Sequence, residues 1–166
     1  MDNETPKIRK PYTQRRKRPP HLLPLETSGP VVIFITVCTN QRRPLLARPA
    51  IHELLRAAWD SAKLWTVGRY VVMPDHIHLF ASPAVFPMES LVTWVRYWKS
   101  HASRNWPFPV ERPVWQTDFW DTQLRRAESY SAKWEYVRNN PVRAGLADRP
   151  DAWLFQGEMA KLPWYA

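Results

Sequence analysis

The sequence predicts an α+β domain of the ferredoxin-like, split βαβ kind, and three observations predict it. Short β-forming runs alternate with segments of helical periodicity in the order β-α-β-β-α-β. The two middle strands are separated only by the turn pair Pro74-Asp75, and a further helical segment follows the last strand. A chain of 166 residues is the size of one domain with a real core. In that arrangement the first and third strands are central.

Val31 to Thr39, Val-Val-Ile-Phe-Ile-Thr-Val-Cys-Thr, is a nearly continuous β-former run, the pattern of a central strand covered on at least one face by helices. Ile51, Leu54, Leu55, Ala58, Trp59 and Ala62 recur at helical spacing and predict a helix over 49–64. Two strands follow, at 67–73 and 76–81, joined by the tight turn. Leu91, Val95, Trp98 and Ala102 form the buried stripe of a second helix over 88–105; Arg96, Lys99, Ser103 and Arg104 lie largely on its other, basic faces. Pro113 to Trp120 reads as a short fourth strand with edge character. Residues 127–140 read as a third helix, stopped by Pro141 and docking through Tyr130, Lys133, Trp134 and Val137.

Ahead of this domain, residues 1–30 carry six prolines and a run of cations that includes Arg15, Arg16, Lys17 and Arg18. Such an arm is expected to be disordered alone and to make nonspecific phosphate contacts; the domain proper is expected over 31–166. The whole chain has 24 Lys+Arg against 15 Asp+Glu, a net charge of +9 and a pI near 10.1, which points to a polyanionic partner. Ten tryptophans offer faces on which unpaired bases could stack, although most tryptophans in a small domain are packing residues. The single cysteine, Cys38, excludes an internal disulfide framework. No apolar run reaches membrane-spanning length and the first residues lack the order of a secretory signal, so a cytoplasmic protein is expected.

The chemistry begins at His76-Ile77-His78. On a strand His76, His78 and Phe80 share one face while Ile77 and Leu79 share the other, so the first and third strands being central would put both imidazoles on the face opposite the helices. Thr36 and Cys38 could lie near them, depending on register. A lone histidine there is most simply a satisfied polar residue; a pair is half a metal site, and the two readings stand level on spacing alone. In the third helix Tyr136 sits roughly 100° from the packing stripe, and Asn140 lies one turn further along the same flank. Spacing alone favours the plainer role, a half-buried ring and a capping amide.

Further residues join these. Pro74-Asp75-His76-Ile77-His78, then Trp115-Gln116, Phe119-Trp120-Asp121, Leu124-Arg125 and Tyr130, then Tyr136-Val137-Arg138-Asn139-Asn140-Pro141-Val142-Arg143-Ala144-Gly145-Leu146, resemble the single-tyrosine HUH transposases. Within that superfamily the resemblance is to the bacterial REP-associated tyrosine transposases, and it covers residues 31–153. It implies that His76, His78 and Asn140 hold a divalent ion, Mg²⁺ or Mn²⁺, and that Tyr136 is the nucleophile. The implied reaction is cleavage and rejoining of single-stranded or hairpin DNA through a 5′-phosphotyrosine bond, in the bacterial cytoplasm and at the nucleoid when DNA is bound. Arg96, Lys99 and Arg104 would meet DNA phosphates, with the arm adding affinity. Tyr130 is a competing nucleophile, but it belongs to the packing stripe and matches a non-nucleophilic position. Two other classes compete: a noncatalytic single-strand binding module on the same sheet, and a zinc hydrolase using His76, His78 and Cys38. Target sequence and the choice of monomer or homodimer are not legible.

Overall fold

The computed structural model describes residues 30–164. The basic arm with Arg15, Arg16, Lys17 and Arg18 lies outside the described residues. Strands β1 (Val32–Cys38), β2 (Trp65–Val72), β3 (His76–Pro83), β4 (Trp120–Leu124) and β5 (Gln156–Glu158) form one sheet in the order β4-β1-β3-β2-β5. Every neighbouring pair is antiparallel. Helices α1 (Pro49–Ser61) and α2 (Leu91–Arg104) connect β1 to β2 and β3 to β4. After β4 come α3 (Ala127–Arg138) and the single turn α4 (Asn140–Arg143). The fold is therefore α+β with β1 and β3 inside the sheet, as expected, and with β3 as the middle strand of five.

The alternation of β1 and β3 divides the molecule into two unequal cores. Ile33, Ile35, Val37, Ile77, Leu79 and Ala81 face α1 and α2, where Trp59, Trp94 and Trp98 complete the main core. Five of the ten tryptophans are buried at 3 % exposure or less, which makes them packing residues rather than base-stacking faces. On the opposite face Val32 and Phe80 pack with Leu124, Tyr130 and Leu162, and Phe34 and Trp134 close the edge. The face bearing the histidines is thus partly covered by α3 rather than open. The Tyr130 ring, 1 % exposed, stands edge-on to Phe80 at 4.8 Å and anchors α3 there.

Three departures from the sequence pattern have physical causes. The fourth strand begins at Trp120, where residues 113–120 were expected. Proline at 113 offers no N–H, and the segment that follows is fixed piecemeal, by the bridge Thr39↔Trp115 and by Gln116 N donating to Cys38 O at 3.0 Å. The true strand, Trp-Asp-Thr-Gln-Leu, is an edge strand whose side chains are mostly polar, so its apolar signal is weak. The third helix ends at Arg138, and Pro141 stands in the first turn of α4 instead of simply stopping α3; a proline lacks the N–H that would have continued the ladder but fits a helix start. Gly145, at φ 70, then closes α4 with its N–H on Val142 O at 2.9 Å. Strand β5 was not expected at all, being three residues with no apolar alternation. Its Gly157 lies against Tyr70, where a Cβ would stand 2.8 Å from the phenol oxygen.

Candidate functional site

Register brings the histidines to their partners. Thr36 pairs with His78 and Cys38 with His76 across β1 and β3, so the side chains of all four emerge on one face. The Thr36 hydroxyl lies 2.8 Å from His78 Nδ1, and the Phe34 ring stacks on the imidazole at 5.3 Å and 22°. The two imidazoles are 4.7 Å apart, nearly perpendicular. His76 Nδ1 is 2.7 Å from Asp75 Oδ1, and Asp75 Oδ2 accepts from Arg42 Nε at 2.7 Å. Arg42 also donates to Cys38 Sγ at 2.8 Å.

Arg42 reaches this position because the chain leaves β1 through an irregular turn. Gln41 and Arg42 both have positive φ, 56° and 57°, a conformation that costs about 1 kcal/mol or more per residue without glycine.

Both imidazoles are held neutral. Burial pushes His78 down to about 3, with the positive charges of His76, Arg42, Lys133 and Arg143 acting the same way. Burial also lowers His76, against the opposing pull of the Asp75 hydrogen bond and charge. Asp75 is raised by burial, but the His76 hydrogen bond and Arg42 outweigh this and keep it a carboxylate. A carboxylate only accepts, so His76 donates through Nδ1–H and its lone pair is at Nε2. The Thr36 hydroxyl can accept from His78 Nδ1–H in the same tautomer, which would free the Nε2 of His78 as well. Two neutral imidazoles with available Nε2 atoms and supporting hydrogen bonds fit a divalent ion of borderline character. Among the described residues no group of three His, Cys, Asp or Glu side chains could hold a metal, so a third protein ligand would have to be of another type. That speaks against a zinc site of His76, His78 and Cys38.

Above the histidine face, α3 and α4 carry the remaining candidates. Lys133 lies over the Phe34 ring at 5.1 Å, the same ring that stacks on His78. Tyr136 is 60 % exposed, so its phenol is accessible to a macromolecule. Asn140 opens α4. The Arg143 guanidinium joins the two: it lies 4.1 Å from the Tyr136 ring centroid, donates to Tyr136 O at 2.8 Å, and is hydrogen-bonded to Asn140 Oδ1.

The helix α2 candidates separate into two kinds. Arg96 and Arg104 are exposed. Lys99 is turned inward, donating to Gln116 O at 2.6 Å and Thr117 O at 3.2 Å, and burial lowers it to about 8 despite the nearby Asp118. Its ammonium ties down the segment ahead of β4.

Sequence reasoning missed Arg42, whose side-chain direction depends on the strained turn. It also treated Asp75 as a turn residue only. Arg143 had a usable signal, since a residue seven after Tyr136 falls two helical turns along the same side.

No protein-family profile matches the chain. In sequence it is 25 % identical over 127 residues to the REP-associated tyrosine transposase of Escherichia coli strain K12, an alignment covering 74 % of this chain and 73 % of that protein. In structure it resembles a REP-associated tyrosine transposase bound to a REP hairpin, with a TM-score of 0.64, 23 % identity and coverage of 77 % and 76 % of the two chains. A Deinococcus radiodurans R1 protein described as a transposase matches with a TM-score of 0.51 and 18 % identity over 69 % of this chain and 93 % of the other. The chain is a distant homologue of REP-associated tyrosine transposase by sequence and structure.

Proposed function

We propose that this protein is a metal-dependent, single-tyrosine DNA strand-transfer enzyme built on a ferredoxin-like split βαβ scaffold. Its substrate is single-stranded or hairpin DNA, the ligand class of the hairpin-bound relative. The observation that carries the proposal is the histidine pair, whose Nδ1 atoms are both engaged by neighbours, on the sheet face against which α3 packs with Tyr136 and leads to Asn140.

His76, His78 and Asn140 are the residues that would hold a divalent ion, Mg²⁺ or Mn²⁺, which when bound would supply charge stabilisation at the scissile phosphate. Thr36 and Asp75 keep the two imidazoles in the ligating tautomer. Tyr136 Oη attacks phosphorus, the P–O3′ bond breaks, and the departing 3′ oxygen takes up a proton. The downstream strand stays joined to the enzyme by its 5′ phosphate, with the phenolic proton released to solvent or base. Attack by a different 3′-hydroxyl reverses the sequence and joins new ends. Exposure suits Tyr136 to this, because an in-line approach to a phosphodiester needs a bendable strand that can reach the phenol.

Positive charge on both faces of the sheet would provide the electrostatic part of binding: Arg42, Lys133 and Arg143 act at the histidines, and Arg96 and Arg104 lie on α2, which packs on the opposite face. Arg96 and Arg104 are exposed for phosphate contact, and the basic arm adds a sequence-independent contribution. No helix among the described residues is long and apolar enough to cross a membrane, and a bacterial cytoplasmic site of action at the nucleoid follows from the substrate.

Incubation of the protein and Mn²⁺ with labelled hairpin DNA bearing a single-stranded flank, followed by a denaturing gel, tests the reaction. A covalent adduct forms with the native chain and is lost in Tyr136→Phe, while DNA binding is retained. An adduct in Tyr136→Phe would assign the nucleophile elsewhere.

A further inference from the structure

The charges around the histidine pair do not suit a metal ion alone. Two neutral imidazoles and an amide bring no negative charge to a divalent cation. The charged groups that act on the two rings are Arg42, Lys133, Arg143 and a single carboxylate, Asp75. Asp75 is already paired with Arg42 at 2.7 Å. Lys133 and Arg143 therefore remain as net positive charge beside His78. Arg143 goes further, since its guanidinium is hydrogen-bonded to Asn140 Oδ1, the oxygen this amide would offer the ion. A cation already holds one of the two acceptor sites of that amide oxygen and places positive charge directly beside it.

We propose that Arg143 is a positioning residue that makes metal binding depend on DNA. Without DNA its guanidinium lies over the Tyr136 ring and holds Asn140 Oδ1. A phosphodiester entering between Tyr136 and the histidines offers it a stronger, charged acceptor, and a guanidinium binds phosphate in preference to a neutral amide. Transfer of Arg143 from the amide to the phosphate exposes Asn140 Oδ1 and places a negative oxygen beside the ion. Both changes favour the metal. By linkage, metal must then strengthen DNA binding by the same factor that DNA strengthens metal binding. The consequence is that a free protein in the cell stays poorly metallated and uncommitted, and the complete centre assembles on substrate. The inference rests on the metal assignment above.

Calorimetry with Mn²⁺ tests it in a Tyr136→Phe background, which blocks covalent chemistry and keeps the ring under Arg143. The probes are Mn²⁺ alone and Mn²⁺ with a saturating hairpin oligonucleotide carrying a single-stranded flank. Removing one positive charge several ångströms from a divalent ion near the surface should tighten DNA-free Mn²⁺ binding of Arg143→Gln about fivefold to tenfold. The gain in Mn²⁺ affinity on adding DNA, expected to be about tenfold or more in the parent, should shrink to within about twofold in that variant. Arg143→Lys, which keeps the charge, should bind DNA-free Mn²⁺ no better than the parent. Equal DNA-free affinities and equal gains in parent and Arg143→Gln would overturn the proposal. Weaker DNA-free binding in Arg143→Gln would also overturn it, by showing that the guanidinium holds Asn140 in place for the metal. His76→Ala separates the two assignments: Mn²⁺ affinity unchanged by His76→Ala would refute the metal centre itself, and the Arg143 coupling with it.

Discussion

Replacing Thr36 by valine isolates the link between sheet register and chemistry. Valine has the shape of threonine, so β1 keeps its β-branched side chain opposite His78 and only the hydroxyl disappears. That hydroxyl is 2.8 Å from His78 Nδ1, in a part-buried setting where the lost partner is not freely replaced by water. Leaving the Nδ1–H unsatisfied costs about 1–3 kcal/mol. The Phe34 stack still holds the ring plane, so the main loss is preference for the tautomer with its lone pair at Nε2. Removal of a supporting hydrogen bond of this kind lowers metal affinity by about 10–100-fold, equivalent to about 1.4–2.7 kcal/mol. Mn²⁺ titration calorimetry should show that loss. ¹⁵N spectra of the imidazoles should show the native protein with Nδ1–H at His78 and the variant with a mixed population. Unchanged Mn²⁺ affinity in Thr36→Val, or an Nε2–H tautomer at His78 in the native metal-free protein, would refute the reasoning, because the ligating nitrogen would then carry a proton.

Tyr130→Phe should leave adduct formation within about twofold of native, because its ring is an anchor against Phe80, whereas Tyr130→Ala should destabilise the fold by about 3–5 kcal/mol in urea unfolding. Lys99 makes stability depend on pH in a stated direction. Its folded value of about 8 lies below the unfolded value of 10.5, so between them the unfolded chain binds the extra proton and stability rises with pH. Lys99→Met should therefore reduce the slope of stability against pH over this window by about 1 kcal/mol per unit, the order expected for one proton; parallel native and variant curves would contradict the assignment. Deleting residues 1–24 should flatten the salt dependence of DNA binding and leave the cleavage position unchanged, since phosphate contacts add affinity without reading bases.

The chain's periodicities carried the fold in its strongest elements. Apolar alternation through β1 and β3, and the stripes of α1 and α2, are dictated by burial of one face against another, a requirement that every few residues must obey. Elements whose stability comes from edges escaped it. Strand β4 needs backbone pairing with only one neighbour and shows little apolar alternation, and β5 is recognisable only because β2 offers it a free edge. The site followed the same division. His76 and His78 were singled out by their spacing together with resemblance, and Tyr136 and Asn140 by resemblance alone. Arg42 was not, because its direction is set by two residues of positive φ that no periodicity predicts.

By itself the sequence determined which side chains share a face, since strand and helix periods are properties of the backbone and need no partner. That was enough to put His76 with His78 on one face of β3; Tyr136 and Asn140 were expected on one helix flank, but the helix ends at Arg138 and Asn140 opens a separate turn. Only the tertiary structure decided how far α3 covers the histidine face and which groups engage the imidazole nitrogens. It also decided that Arg143 binds the amide of Asn140. Those outcomes depend on strand register, on a break in helix at Arg138 and on the balance of burial against charge. Strand register and the covering of the histidine face arise from contacts between residues far apart in the chain, and the short-range Asp75–His76 and Arg143–Asn140 contacts from local backbone geometry that periodicity does not specify.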